Sequence, residues 1–142
     1  MSVKGDVEMT RTRTDYTVWT GSALLAIGAL FHLTGYAAIP SAKPASEIDK
    51  FFDAALHALW LFAGLHWLLI ATVCVLAAKS GARFARLILL CCAIFTFTDA
   101  ALLFWFLGPF LGAAILAAAA TTFLVASLQI SSETKLANKN LA

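Results

Sequence analysis

Residues 100–132 read AALLFWFLGPFLGAAILAAAATTFLVASLQISS, a run with no Asp, Glu, Lys or Arg. The hydrocarbon core of a bilayer takes about 20 apolar residues per helix, so the stretch is too long for one crossing. It also contains its own break. Proline lacks an N–H, restricts the residue before it and suits the first turn of a new helix, so Gly108-Pro109 divides the run into two helices. Thr121 and Thr122 are the only polar side chains between 100 and 126. A helix of a soluble bundle would show a polar stripe along one face, and this segment has none to show.

Working outward, the runs 16–42, 54–78 and 87–98 are equally free of charged residues, and Asp99 alone separates the last of them from 100–132. The pattern predicts membrane-spanning helices at about 17–39, 52–78, 84–107 and 109–130. Composition agrees: 61% of the chain is hydrophobic, 13% is charged and the mean hydropathy is +0.86, too apolar for water to be its main solvent. The fold class expected is all-α, an integral membrane up-down-up-down four-helix bundle over 16–130, with polar tails at 1–15 and 131–142 expected to be mobile. The short segment 79–82, with Gly81, and the Gly108-Pro109 turn each join antiparallel neighbours.

Charge placement sets an orientation. Of the ten basic residues, Lys4, Arg11 and Arg13 precede the first span, Lys79, Arg83 and Arg86 lie between the second and third, and Lys135 and Lys139 follow the fourth. Lys43 and Lys50 alone fall in the loop between the first and second. The positive-inside rule then puts both termini in the cytoplasm, in the inner membrane of a bacterial cell. Ten scattered bases and a net charge of +2 do not make a nucleic-acid surface. The first apolar run is longer than the 7–15 residues of a signal-peptide core and is taken as a span. Cys74, Cys91 and Cys92 form no C-x-x-C pair and suggest neither a disulfide framework nor a zinc ribbon. In the outer loop, Ser46 is the expected N-cap of the second helix.

Between helices in lipid, small residues let backbones approach. Gly21, Gly28 and Gly35 recur at seven-residue intervals, and Gly108-x-x-x-Gly112 leads into an alanine-rich fourth span. Both are expected to be packing faces, preferentially within the chain, although pairing with a second copy follows the same pattern. Trp60, Trp67 and Trp105 are expected as interface anchors or lipid-facing bulk.

The feature above background is a layer of titratable groups. At 1.5 Å per residue, His32 falls about 12 Å inside the outer end of the first span, His57 about 9 Å inside the second and Asp99 about 13 Å inside the third. Asp53 lies one turn outward from His57, and Tyr36 one turn beyond His32. His66 is two and a half turns from His57, faces the opposite side, and is left out of the layer. An aspartate near a helix centre costs about 2.5–3.5 kcal/mol on insertion scales, so Asp99 needs a partner, a proton or a function. The candidates for ligand or proton binding are therefore His32, His57, Asp99, Asp53 and Tyr36. Their donor types suit a metal, but nothing in their spacing selects one. No catalytic residue is assigned: H-E-x-x-H, P-loop and G-x-S-x-G patterns are absent. No cofactor is assigned either.

Trp60-Leu61-Phe62-Ala63-Gly64, the basic turn from Lys79 to Arg86 and the Gly108-Pro109 hairpin resemble, over residues 17–130, the small DoxX-like four-helix membrane proteins of bacteria. The resemblance implies a compact bundle accessory to another membrane system, and it transfers no site residue. The function expected is a non-enzymatic accessory or binding bundle for a membrane partner, a second copy or a hydrophobic small molecule. Loops this short leave no room outside the bilayer for a catalytic domain. The alternatives are a small proton-coupled transporter, or a membrane enzyme, using the outer His/His/Asp cluster.

Overall fold

The computed structural model describes residues 3–38, 49–80 and 82–139, with side chains over 13–38, 49–80 and 84–132. Four helices account for nearly all of it: α1 (Val3–Thr34), α2 (Lys50–Ala78), α3 (Ala82–Leu107) and α4 (Leu111–Lys139), with a 3-10 turn at Gly35–Ala38 after α1. The segments Arg13–Ala38, Lys50–Ala78, Phe84–Leu107 and Leu111–Ser132 are each long and apolar enough to cross a membrane.

Two helices outrun their expected limits. α1 starts at Val3 and α4 continues to Lys139, so most of 1–15 and 131–142 is helix rather than tail. Neither segment contains proline, and both carry helix-compatible residues, Lys4, Glu8, Met9, Arg11 and Arg13 in the first and Glu133, Lys135, Leu136, Ala137 and Lys139 in the second. Such residues lose little rotamer freedom in a helix, and a helix already nucleated in the span propagates easily into them. At the other end, α2 is capped by Asp49, whose carboxylate Oδ1 accepts from the Phe51 N–H at 2.8 Å. Ser46, the expected cap, lies outside the described residues, as do Pro40 and Lys43 of the same loop.

α3 ends at Gly108, whose φ of +76° places it in the left-handed region, where a side chain would clash with the neighbouring carbonyl. Its N–H donates to Phe104 O at 2.9 Å, closing the last turn. Pro109 and Phe110 complete the reversal, so α4 begins at Leu111, two residues later than its proline suggests.

α1 packs against α2 and α4, and α3 against α4; α2 and α3 meet less closely than these pairs. Partner numbers fall along α2 as they rise along α1. Between α1 and α2, Ser22 Oγ donates to Ala71 O at 3.2 Å while His32 meets Trp60; side-chain bonds tie α2 to α3, Trp67 to Asp99, and α3 to α4, where Arg86 O accepts from Ser127 Oγ at 3.2 Å. The glycine seam packs within the chain. A Cβ on Gly21 would collide with Thr122 and Phe123, and one on Gly28 would come within 3.2 Å of Ile115, all on α4.

The core is made of small side chains, among them Ala29, Ala71, Cys74, Cys92, Ala119 and Ala126, wedged by Leu25, Leu89, Leu116 and Phe123. The bulky ones face outward, Trp105 at 81% and Phe106 at 77% exposure. That is the reverse of packing in water, where large apolar groups are the first to be buried, and it suits a hydrocarbon surround. The threonines comply by bonding their own helix: Thr72, Thr96, Thr98 and Thr121 each donate to the carbonyl four residues earlier, leaving no hydroxyl hydrogen for lipid.

Candidate ligand-binding site

At the end of the bundle where α1 stops and α2 starts, two glycines bring those helices together. A Cβ on Gly64 would sit 2.7 Å from Leu33 Cδ2, and one on Gly35 would sit 2.8 Å from Trp60 Cζ2. Their absence lets the Trp60 indole lie against the end of α1. There the indole and His32 exchange two bonds: Trp60 Nε1 donates to His32 O at 2.8 Å, and His32 Nε2 donates to Trp60 O at 2.9 Å. Both contacts have a local cause. His32 O is one of the final carbonyls of α1, which lack an intrahelical donor, and Trp60 O has a second lone pair beyond the one its helix uses. The two rings stack, centroids 4.4 Å apart and 12° from parallel.

Trp67, two turns further along α2, meets the His32 ring edge-on with centroids 4.9 Å apart, and is only 5% exposed. Its Nε1 donates to Asp99 Oδ2 on α3 at 3.0 Å. The same oxygen lies 3.5 Å from His66 Nε2, and His66 in turn stacks on Phe62. A hydrogen bond to a charged group contributes about 1.5–3 kcal/mol, comparable with the insertion cost of the aspartate.

Asp99 therefore pairs with His66 and Trp67, and not with His32 or His57. The expectation that His66 stands outside the layer is overturned, and so is the single depth assumed for His32, His57 and Asp99. Helix ends do not lie level. Counted from the Trp67–Asp99 contact, α2 runs about nine residues, or ~13 Å, further outward than α3. His57 stands on that projecting part. Its Nδ1 donates to Asp53 O at 2.9 Å and lies 3.7 Å from Asp53 Oδ1, and its ring meets Tyr36 edge-on at 5.4 Å. The five expected residues thus fall into two groups: Tyr36, His57 and Asp53 above, His32 and Asp99 below with Trp67 between them. Among the described residues no three His, Cys, Asp or Glu side chains come together as metal ligands, so His32, His57 and Asp99 do not form one such site.

His32 and Trp67 of the lower group, though not Asp99, border a cavity of about 350 Å³ among all four helices, walled also by Trp60, Leu56, Leu103 and Phe110. Small-molecule sites run from about 300 to 1,000 Å³ and are lined mostly by apolar and aromatic side chains with a few polar groups. This one has that make-up. A second hollow, about 590 Å³ between α3 and α4, is walled by Phe97, Ala101, Phe104, Trp105 and Ala114 and opens onto the apolar exterior with no titratable side chain.

Trp60, Trp67 and His66 are the residues that sequence reasoning missed, having set the tryptophans aside as anchors. Trp105 does face outward. The signal available was spacing: Trp60, Gly64 and Trp67, at i, i+4 and i+7, share one face of α2, with a glycine between two indoles. Comparison of the chain with protein-family models, with curated proteins and with solved structures found no match.

Proposed function

We propose that this chain is a multi-pass bacterial inner-membrane protein, not an enzyme, that binds a hydrophobic small molecule in the cavity beside His32, with both termini in the cytoplasm. The carrying observation is the cavity itself: an apolar chamber among four helices, with a histidine and two tryptophans in its wall. The inside-positive arrangement of Lys and Arg supports the orientation. The short connections between helices support a role confined to the membrane. An accessory role beside another membrane protein is compatible with the same bundle. The transport alternative draws less support, because Asp99 accepts from Trp67 and lies 3.5 Å from His66 Nε2 rather than meeting the outer histidine His57.

The test is energy transfer from tryptophan to anthracene with the protein in lipid nanodiscs, compared with a variant whose cavity is filled, Leu103→Trp. The expected result is a saturable signal in the parent protein that the variant loses while keeping its melting temperature. Equal saturable signals in both proteins would show that the probe sits elsewhere and would overturn the proposal.

A further inference from the structure

His32 has two ring nitrogens, and its surroundings assign the role of each. Nε2 lies 2.9 Å from Trp60 O; a carbonyl oxygen only accepts, so Nε2 carries the hydrogen. Among the described residues no carboxylate pairs with His32, since Asp99 is engaged by Trp67 and His66. An imidazolium without a counter-ion in an apolar wall is disfavoured, so the ring is neutral and Nδ1 presents a lone pair. No described group bonds that nitrogen.

The other polar side-chain hydrogens on the wall are already committed. Trp60 Nε1 is given to His32 O and Trp67 Nε1 to Asp99 Oδ2. Thr34 Oγ1 donates to Phe31 O at 2.7 Å. What the side chains of the chamber hold out is therefore acceptors: Nδ1 of His32 and the lone pairs of the Thr34 hydroxyl. A buried polar group of a ligand that finds no partner weakens binding, so a ketone, ether or ester oxygen is disfavoured here and an O–H is matched.

Resting on the binding role proposed above, we infer that the ligand is a hydrophobic alcohol or phenol whose O–H donates to His32 Nδ1, with its apolar body among Leu56, Leu103 and Phe110. The chamber volume suits one ring system rather than the two chains of a bilayer lipid.

Displacement of anthracene from nanodisc-embedded protein by 1-naphthol, 1-methoxynaphthalene and naphthalene tests this. The three share a ring system and differ in the donor. The expected result is 1-naphthol binding about 3- to 10-fold more tightly than its methyl ether, the size of one net hydrogen bond. His32→Phe keeps a ring against Trp60 but removes Nδ1, and it should abolish that preference, so that 1-naphthol and its methyl ether bind alike. Equal displacement by all three in the parent protein would overturn the hydroxyl assignment and leave the binding role standing. Absence of any saturable anthracene signal would remove the binding role and this inference with it. If His32→Phe does not fold, [15N]histidine spectra of the parent protein decide. The His32 Nδ1 resonance should move with 1-naphthol and not with the ether, and a resonance that ignores both, or responds alike to both, overturns the assignment.

Discussion

A carboxylate inside a membrane span is retained only if something offsets its insertion cost, and Asp99 has Trp67 and His66 for that purpose. Trp67→Phe removes the better donor and keeps most of the ring. It should destabilise the protein by about 1–3 kcal/mol, seen as a lower melting temperature in mild detergent. Adding Asp99→Leu to that variant should recover much of the loss, because the group that needed a donor is gone. An unchanged melting temperature in Trp67→Phe would show that the bond has no structural weight. That Asp99 requires a partner is legible in the sequence, since it alone breaks the apolar stretch from 87 to 132. Which partner it takes is not legible, because reckoning depth from span ends assumes level helices, and α2 projects past α3. His32 is found from sequence as a titratable group inside the first apolar span, but its indole partners are concealed by the ordinary habit of tryptophan to sit at membrane interfaces.

Among the elements, the α3–α4 turn isolates a single physical effect. Gly108 sits at φ +76° with no atom beyond its own chain neighbours within 4 Å of where a Cβ would go, so a substitution there meets local backbone strain and no collision with another element. Gly108→Ala should cost about 1–2 kcal/mol, and Gly108→Asn less, because asparagine tolerates the left-handed region. Chemical denaturation of the two variants side by side checks the order. If alanine matches glycine in stability, the turn does not hold that backbone conformation. Gly-Pro after an unbroken apolar run revealed this hairpin in advance, as the charge-free runs revealed all four helices. The helix limits were harder to see. Composition changes where the chain leaves the hydrocarbon, but a helix need not stop there, and α1 and α4 carry on through polar, proline-free residues.

For the whole molecule, the distribution of lysine and arginine predicts an arrangement that can be observed directly. With Cys74, Cys91 and Cys92 replaced by alanine, a membrane-impermeant maleimide should label Ala45→Cys in intact cells, and Asn140→Cys only after the membrane is opened. Labelling of both positions in intact cells would overturn the proposed orientation. The inverted packing, alanine and cysteine within and phenylalanine, leucine and tryptophan without, carries a thermodynamic corollary. For most proteins the solvent is a medium around a finished object. Here the acyl chains complete the van der Waals contacts that half of the side chains would otherwise lack, much as each subunit completes the other in an obligate dimer. A melting temperature for this chain is consequently a property of protein and amphiphile jointly, and it should change with detergent chain length even when no residue is altered.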